Sequence, residues 1–120
     1  MDDFCFPNML NDYNLPSNSE NYPKNGKRPL SSSVPTIILD DKGGPLIAIG
    51  GSGGSIITTA TAQVLIFHLI FGMSLKDAIS YPRLHAQVTP NKVFFETKFD
   101  KKIIEGLKKI GHQVSNFFYE

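Results

Sequence analysis

The stretch from Leu46 to Phe71, LIAIGGSGGSIITTATAQVLIFHLIF, limits what this chain can fold into more than any other. A short apolar strand empties into a loop of glycines and serines, and a helical apolar run follows from about Ile57. Gly53 and Gly54 carry no side chain to hold a ligand away, and glycine reaches the unusual dihedrals that such a loop needs. Their N–H groups can therefore come close to a bound group. The unpaired N–H groups and partial positive charge at the start of the next helix favour an anion at the same end. Three uses fit this arrangement: holding a phosphate, holding the oxyanion of an acyl transfer, or simply making a tight connection. The phosphate use lacks its motif. No G-x-x-x-x-G-K-[ST] is present, since Ile56-Ile57-Thr58-Thr59 follows the loop without a lysine. Gly50, Gly51, Gly53 and Gly54 do not form G-x-G-x-x-G, and no acidic residue follows about 20 positions on within a second strand.

The remainder of the chain narrows the choice. With 120 residues it holds one domain at most, and a chain of this size buries roughly two thirds of its surface, enough for one modest core. A net charge of +1 points to neither nucleic acid nor an acidic membrane as a partner. The lysines between Lys92 and Lys109 alternate with an apolar helical face, the pattern of a solvated surface. Cys5 is alone, which excludes an internal disulfide. The first residues are acidic and polar, with no apolar core of a signal peptide. The apolar helix from Ile57 to Phe71 has about 15 residues and contains His68, where a membrane span needs roughly 20.

Residues 1–33 are rich in Asn, Pro and Ser and show no period of 2 or 3.6, so they read as loop. Phe4, Phe6, Met9, Leu10, Tyr13 and Tyr22 argue for an ordered, irregular wall, because disordered segments are poor in such residues. Val34–Asp40 and Leu46–Ile49 read as strands of a hairpin joined at Asp41-Lys42-Gly43-Gly44. Their near-continuous apolar runs predict a sheet covered on both faces. The helix from Ile57 is apolar on most sides after its first turn, which predicts a place between layers. Gly72 closes it, and Ser74 with Asp77 three residues on opens a short second helix that Pro82 ends. Val93–Glu96 reads as a strand. Asp100 caps a helix with Ile103, Ile104, Leu107 and Ile110 on one face, and after Gly111 a last strand runs from Gln113 to Tyr119. The order loop, β, β, α, α, β, α, β is that of an α+β fold, an antiparallel sheet with helices layered on it.

Chemistry-bearing residues are few. Asp2 and Asp3 read first as solvated acids, and Ser31-Ser32-Ser33 as turn-capping hydroxyls. His68 lies inside an apolar helix, as a hydrogen-bonded core residue would. His85 and His112 have no partner at metal-ligand spacing, so no metal site is expected. There is no G-x-S-x-G elbow, and pattern alone names no nucleophile with a partnered base.

Four motifs in register carry more than any of them singly. Met1-Asp2-Asp3-Phe4, Pro29-Leu30-Ser31-Ser32 ahead of Pro35-Thr36, Gly53-Gly54 with Ile57-Thr58-Thr59-Ala60, and Pro82-Arg83-Leu84-His85 stand in the order and approximate spacing of the small subunit of gamma-glutamyltransferases (glutathione hydrolases). The resemblance covers essentially the whole chain. It implies part of the αββα sandwich of N-terminal-nucleophile hydrolases. Residues 1–120 would be a single partial domain, with 1–33 the irregular substrate-site loop and 34–120 the sheet and helices.

The resemblance further implies a reaction on the γ-glutamyl amide of glutathione and related compounds, with transfer to water or an amino acid and no cofactor. Asp3 looks like the partner of the substrate ammonium, Ser31 and Ser32 like donors to its α-carboxylate, and Gly53 and Gly54 like the N–H pair of the oxyanion hole. For Pro82–His85 the expectation is structural packing. The family nucleophile is an N-terminal threonine freed by autoproteolysis, with its own amine as base. No residue here matches it, and Thr58 and Thr59 do not. Nor are there matches for the acidic residue ahead of the Met-Asp-Asp segment or for the large subunit, which supplies an arginine. The chain thus reads as a fragment or truncated product, inactive alone. The family also implies an extracytoplasmic enzyme. A rival reading is a non-catalytic light-chain-like protein that binds a partner or a γ-glutamyl ligand; the reading frame upstream of Met1 separates the two.

Overall fold

Strands in this chain are told apart less by how apolar they are than by which of their faces finds a covering element. The computed structural model describes residues 3–11 and 14–117, and the chain divides into two compact units, Met1–Ser32 and Ser33–Glu120.

Among its described residues the first unit holds a 3-10 helix at Ser19–Asn21, whose cap Asn18 accepts the Glu20 N–H on its side-chain oxygen at 3.0 Å. Elsewhere side-chain hydrogen bonds add to the backbone's own, as Asn- and Ser-rich chain permits. Asn11 accepts the Leu15 N–H at 2.9 Å. Cys5 Sγ donates to the Asn18 carbonyl at 3.0 Å and accepts the Asn18 N–H at 3.2 Å, while the Cys5 N–H donates to the Asn21 carbonyl at 3.2 Å.

In the second unit β1 (Thr36–Leu39) and β2 (Pro45–Ile49) form the expected antiparallel hairpin, with Thr36 opposite Ile49 and Ile38 opposite Ile47. The turn is held by Asp40, whose carboxylate accepts the N–H groups of Lys42 at 2.9 Å and Gly44 at 2.7 Å. Burial alternates along the hairpin: Ile47 is 8% exposed, whereas Ile37, Leu39 and Leu46 are 69%, 55% and 59% exposed. The expectation of cover on both faces is therefore corrected. An apolar run records that both faces are apolar, and among the described residues one face is covered, at Ile47, while the other is open.

The helices serve a second sheet, of β3 (Leu84–Gln87), β4 (Lys92–Phe95) and β5 (Val114–Asn116). β3 and β4 are antiparallel, and β5 joins β4 in parallel after the helical crossover, which makes this sheet mixed within the α+β fold. β3 is absent from the sequence reading because its buried position is His85, with Ala86 outward, so its polarity pattern reads inverted. The predicted last strand is shortened to β5, and Phe118 and Tyr119 lie outside the described residues.

A 3-10 turn at Gly54–Ile56 leads into α1 (Ile57–Leu69), which packs on β3 and on α2 (Leu75–Ser80). Thr61 and Val64 are buried, but Ile66 and Leu69 are 40% and 45% exposed, so α1 is covered on one side rather than sandwiched. At 13 residues it is too short to cross a bilayer. Gly72, at φ 71°, ends the run; Ser74 caps α2 by accepting the Asp77 N–H at 3.1 Å and donating to the Asp77 carboxylate at 2.6 Å. His68 Nδ1 lies 2.7 Å from the Met73 carbonyl, the hydrogen-bonded role expected of it. Asp100 caps α3 (Lys101–Lys109), which buries Ile104 against the sheet side and half-buries Leu107, with Ile103 and Ile110 left exposed. Among the described residues Ile47, Val64, Ala78, Val93, Phe99 and Ile104 are the buried apolar side chains, a small core.

Candidate functional site

β2 delivers the chain into Gly50-Gly51-Ser52-Gly53, and the turn that follows is possible because of what glycine lacks. Gly53 stands at φ 136°, ψ 24° and Gly54 at φ 61°, both in the region that L side chains rarely adopt. A Cβ on Gly53 would meet no atom within 4 Å, so the demand for glycine there comes from the dihedral and not from crowding. The turn uses its carbonyls: Ile56 N–H donates to Gly53 O at 3.3 Å, and Ile57 N–H to Gly54 O. Among the described residues the N–H groups of Gly53 and Gly54 donate to no acceptor, and no side chain caps this end of α1. Two unspent donors at a helix start are suited to an anion or a developing oxyanion.

The segment carrying the loop into α1 is held by polar side chains. Thr59 Oγ1 donates to the Ile56 carbonyl at 3.0 Å and lies 2.8 Å from His85 Nδ1. His85 is 5% exposed, its Nε2 is 2.9 Å from Gln87 Oε1, and its ring packs near Phe94 and Phe117. Gln63 donates to the Leu84 carbonyl at 2.6 Å and accepts the Leu84 N–H at 2.9 Å, a two-point join between α1 and the edge of β3. Arg83 donates through Nε and Nη2 to Glu96 Oε1 at 3.1 and 2.8 Å, and its backbone N–H donates to Glu96 Oε2 at 2.9 Å. Pro82–His85 thus has the structural part expected of it, and the fold adds what that part is: it braces the start of α1. A cavity of about 110 Å³ opens beside the loop, lined among others by Ser52, Gly53, Ile56, Arg83, His85 and Phe117.

The other predicted residues lie in the first unit. Asp3 and Ser31 are exposed and Ser32 is half-buried; Asp2 lies outside the described residues. One side chain joins the two segments that carry them: Asn21 Nδ2 donates to the Asp3 carbonyl at 2.6 Å, and Asn21 Oδ1 accepts the Leu30 N–H at 2.8 Å. Sequence reasoning passes over Asn21, Gln63 and Glu96. Gln63, a polar residue inside an apolar helix, carries a local signal; the other two carry none.

Comparison with known proteins gives a consistent result. The family model described as gamma-glutamyltranspeptidase matches residues 1–119. Scoloptoxin SSD14 of Scolopendra dehaani is 42% identical over 113 residues, covering 94% of this chain and 20% of that protein. Glutathione hydrolase proenzyme 1 of Schizosaccharomyces pombe is 39% identical over 114 residues, covering 95% of this chain and 18% of the proenzyme. The solved gamma-glutamyltranspeptidase of Helicobacter pylori, in its T380A mutant form, superposes with a TM-score of 0.87 at 34% identity, covering 98% of this chain and 63% of that one. The chain spans about a fifth of the length of the two curated relatives.

Proposed function

The chain belongs to the gamma-glutamyltranspeptidase family, and from that premise we propose that it forms part of an enzyme cleaving the γ-glutamyl amide of glutathione and related compounds. The observation that carries the reading is the Gly53–Gly54 turn, whose two amides have no acceptor among the described residues. Asp3 holds the substrate ammonium, and Ser31 and Ser32 hold its α-carboxylate. A threonine hydroxyl attacks the γ-carbonyl carbon and passes its proton to an amine base. The C=O π electrons move onto oxygen, and the Gly53 and Gly54 N–H groups donate to that oxyanion; one such donor is worth on the order of 10²–10³ in kcat. Collapse restores the carbonyl, breaks the C–N bond and sends the proton out on the leaving amine. Water or an amine then attacks the ester in the same way. No threonine among the 120 residues matches this nucleophile, so on this reading the nucleophile, and an arginine for the carboxylate, come from elsewhere in the enzyme, the arginine from a large subunit of the same precursor. An extracytoplasmic location belongs to the same proposal.

The test is an NMR titration of the purified 120-residue chain with S-methylglutathione, with a γ-glutamyl anilide assayed in parallel. Amide shifts centred on Asp3, Ser31, Ser32, Gly53 and Gly54, without anilide turnover, are the expected outcome. Saturating ligand that leaves those amides unmoved would overturn the site, and turnover that survives removal of contaminating enzyme would overturn the absence of a nucleophile.

A further inference from the structure

We infer that Asn21 is the positioning residue that sets the span between the ammonium-binding Asp3 and the carboxylate-binding Ser31-Ser32, and so makes the site selective for an intact α-amino acid head group. This rests on the functional reading above and deepens it. A carbonyl only accepts and a backbone N–H only donates, so a side chain that bridges the Asp3 carbonyl to the Leu30 N–H must offer a donor on one arm and an acceptor on the other. Asn21 does so at 2.6 and 2.8 Å, which also fixes the orientation of its amide. A carboxylate could serve only Leu30; an alanine could serve neither.

The bridge is itself held from behind. The Asn21 N–H closes the 3-10 turn on Asn18 O at 2.9 Å, and its carbonyl accepts the Cys5 N–H at 3.2 Å. Asn18 in turn exchanges two hydrogen bonds with Cys5 Sγ. Both main-chain polar groups and both side-chain arms of Asn21 are therefore engaged, and the residue is half-buried. Asp3 lies 18 residues before Asn21 and Leu30 nine after it, so no local turn would keep the two ends of the head-group site at a constant distance. A ligand carrying both an ammonium and a carboxylate gains from both ends only if that distance is held; one lacking the ammonium is indifferent to it.

The experiment compares affinities of the full chain, Asn21→Ala and Asn21→Asp for two probes: S-methylglutathione and its glutaryl analogue, which lacks the α-amino group. Hydrogen exchange at the Leu30 amide is followed in each. The unaltered chain is expected to prefer the γ-glutamyl probe by roughly tenfold or more, the yield of one charge-assisted contact. Asn21→Ala should cut that preference to less than about threefold and expose the Leu30 amide. Asn21→Asp should keep Leu30 protected, since it retains the acceptor, while still lowering the preference. Aspartate matches asparagine in size and keeps the acceptor for Leu30, so the test stands even if the alanine variant unfolds. A purely structural staple would weaken both probes alike. An undiminished preference in both variants would overturn this inference and leave the functional reading standing; no binding of either probe by the unaltered chain would overturn the two together.

Discussion

The two sheets of the second unit begin from similar material and end differently. The β1–β2 hairpin is apolar on both faces yet leaves Ile37, Leu39 and Leu46 more than half exposed, while the β3–β4–β5 sheet buries His85 and Val93 and takes α1 and α3 against it. The covered sheet is the more polar of the two. Its cover is secured by directed contacts, Gln63 to both backbone groups of Leu84 and Thr59 beside His85, and its own β3 and β4 ends are tied by Glu96 to three nitrogens of Arg83. Hydrophobic burial is non-directional, so apolar content alone does not choose which face a helix covers; the polar joins do. The glycine turn stands at the seam, fed by the open hairpin and braced through α1 by the covered sheet.

The comparison breaks first if the covered sheet is not the seat of stability. Phe99, 8% exposed between β4 and α3, should show the largest effect: Phe99→Ala is expected to cost about 3–4 kcal/mol in urea unfolding. A cost below about 1 kcal/mol would mean that this core is not well packed. Next comes Glu96→Ala, which strands the guanidinium and the backbone N–H of Arg83. Because these side chains stay 32% and 21% exposed, solvent recovers part of the loss and about 2 kcal/mol is expected. Glu96→Gln, which keeps an acceptor oxygen, should recover about half of it. Equal losses for the two would show that the join depends on charge and not on hydrogen-bond direction.

The features legible in the sequence are those written by chemistry within a few residues. Ser74 and Asp77, Asp100, Gly72 and Gly111, the Asp40 turn and the glycine loop all fall where local pattern puts them. What escapes is set by partners far apart in the chain: Arg83 and Glu96 are 13 residues apart, and Gln63 and Leu84 are 21 apart. β3 is hidden for a related reason, since its inward histidine is tolerated only through Thr59 and Gln87. In the candidate site, Gly53 and Gly54 are readable from the residues themselves, whereas the roles of Asp3, Ser31 and Ser32 come only with the family resemblance. Asn21 is legible from neither. Nothing local separates it from Asn8, Asn11, Asn14, Asn18 or Asn25.

The smallest expected effect falls on the open hairpin and sharpens the contrast most. Ile37 lies opposite Ala48 on the outer face and is 69% exposed. Ile37→Thr keeps the β-branched shape that suits a strand, adds a hydroxyl that water can serve, and removes apolar area that is mostly solvated already. The stability of the purified chain should change by less than about 0.5 kcal/mol. Had the face been covered, the same change would bury a hydroxyl without a partner and cost about 1–3 kcal/mol. A measured loss in that range would mean that the outer face is occupied in solution, and the difference between the two sheets would then lie in what covers them rather than in whether they are covered.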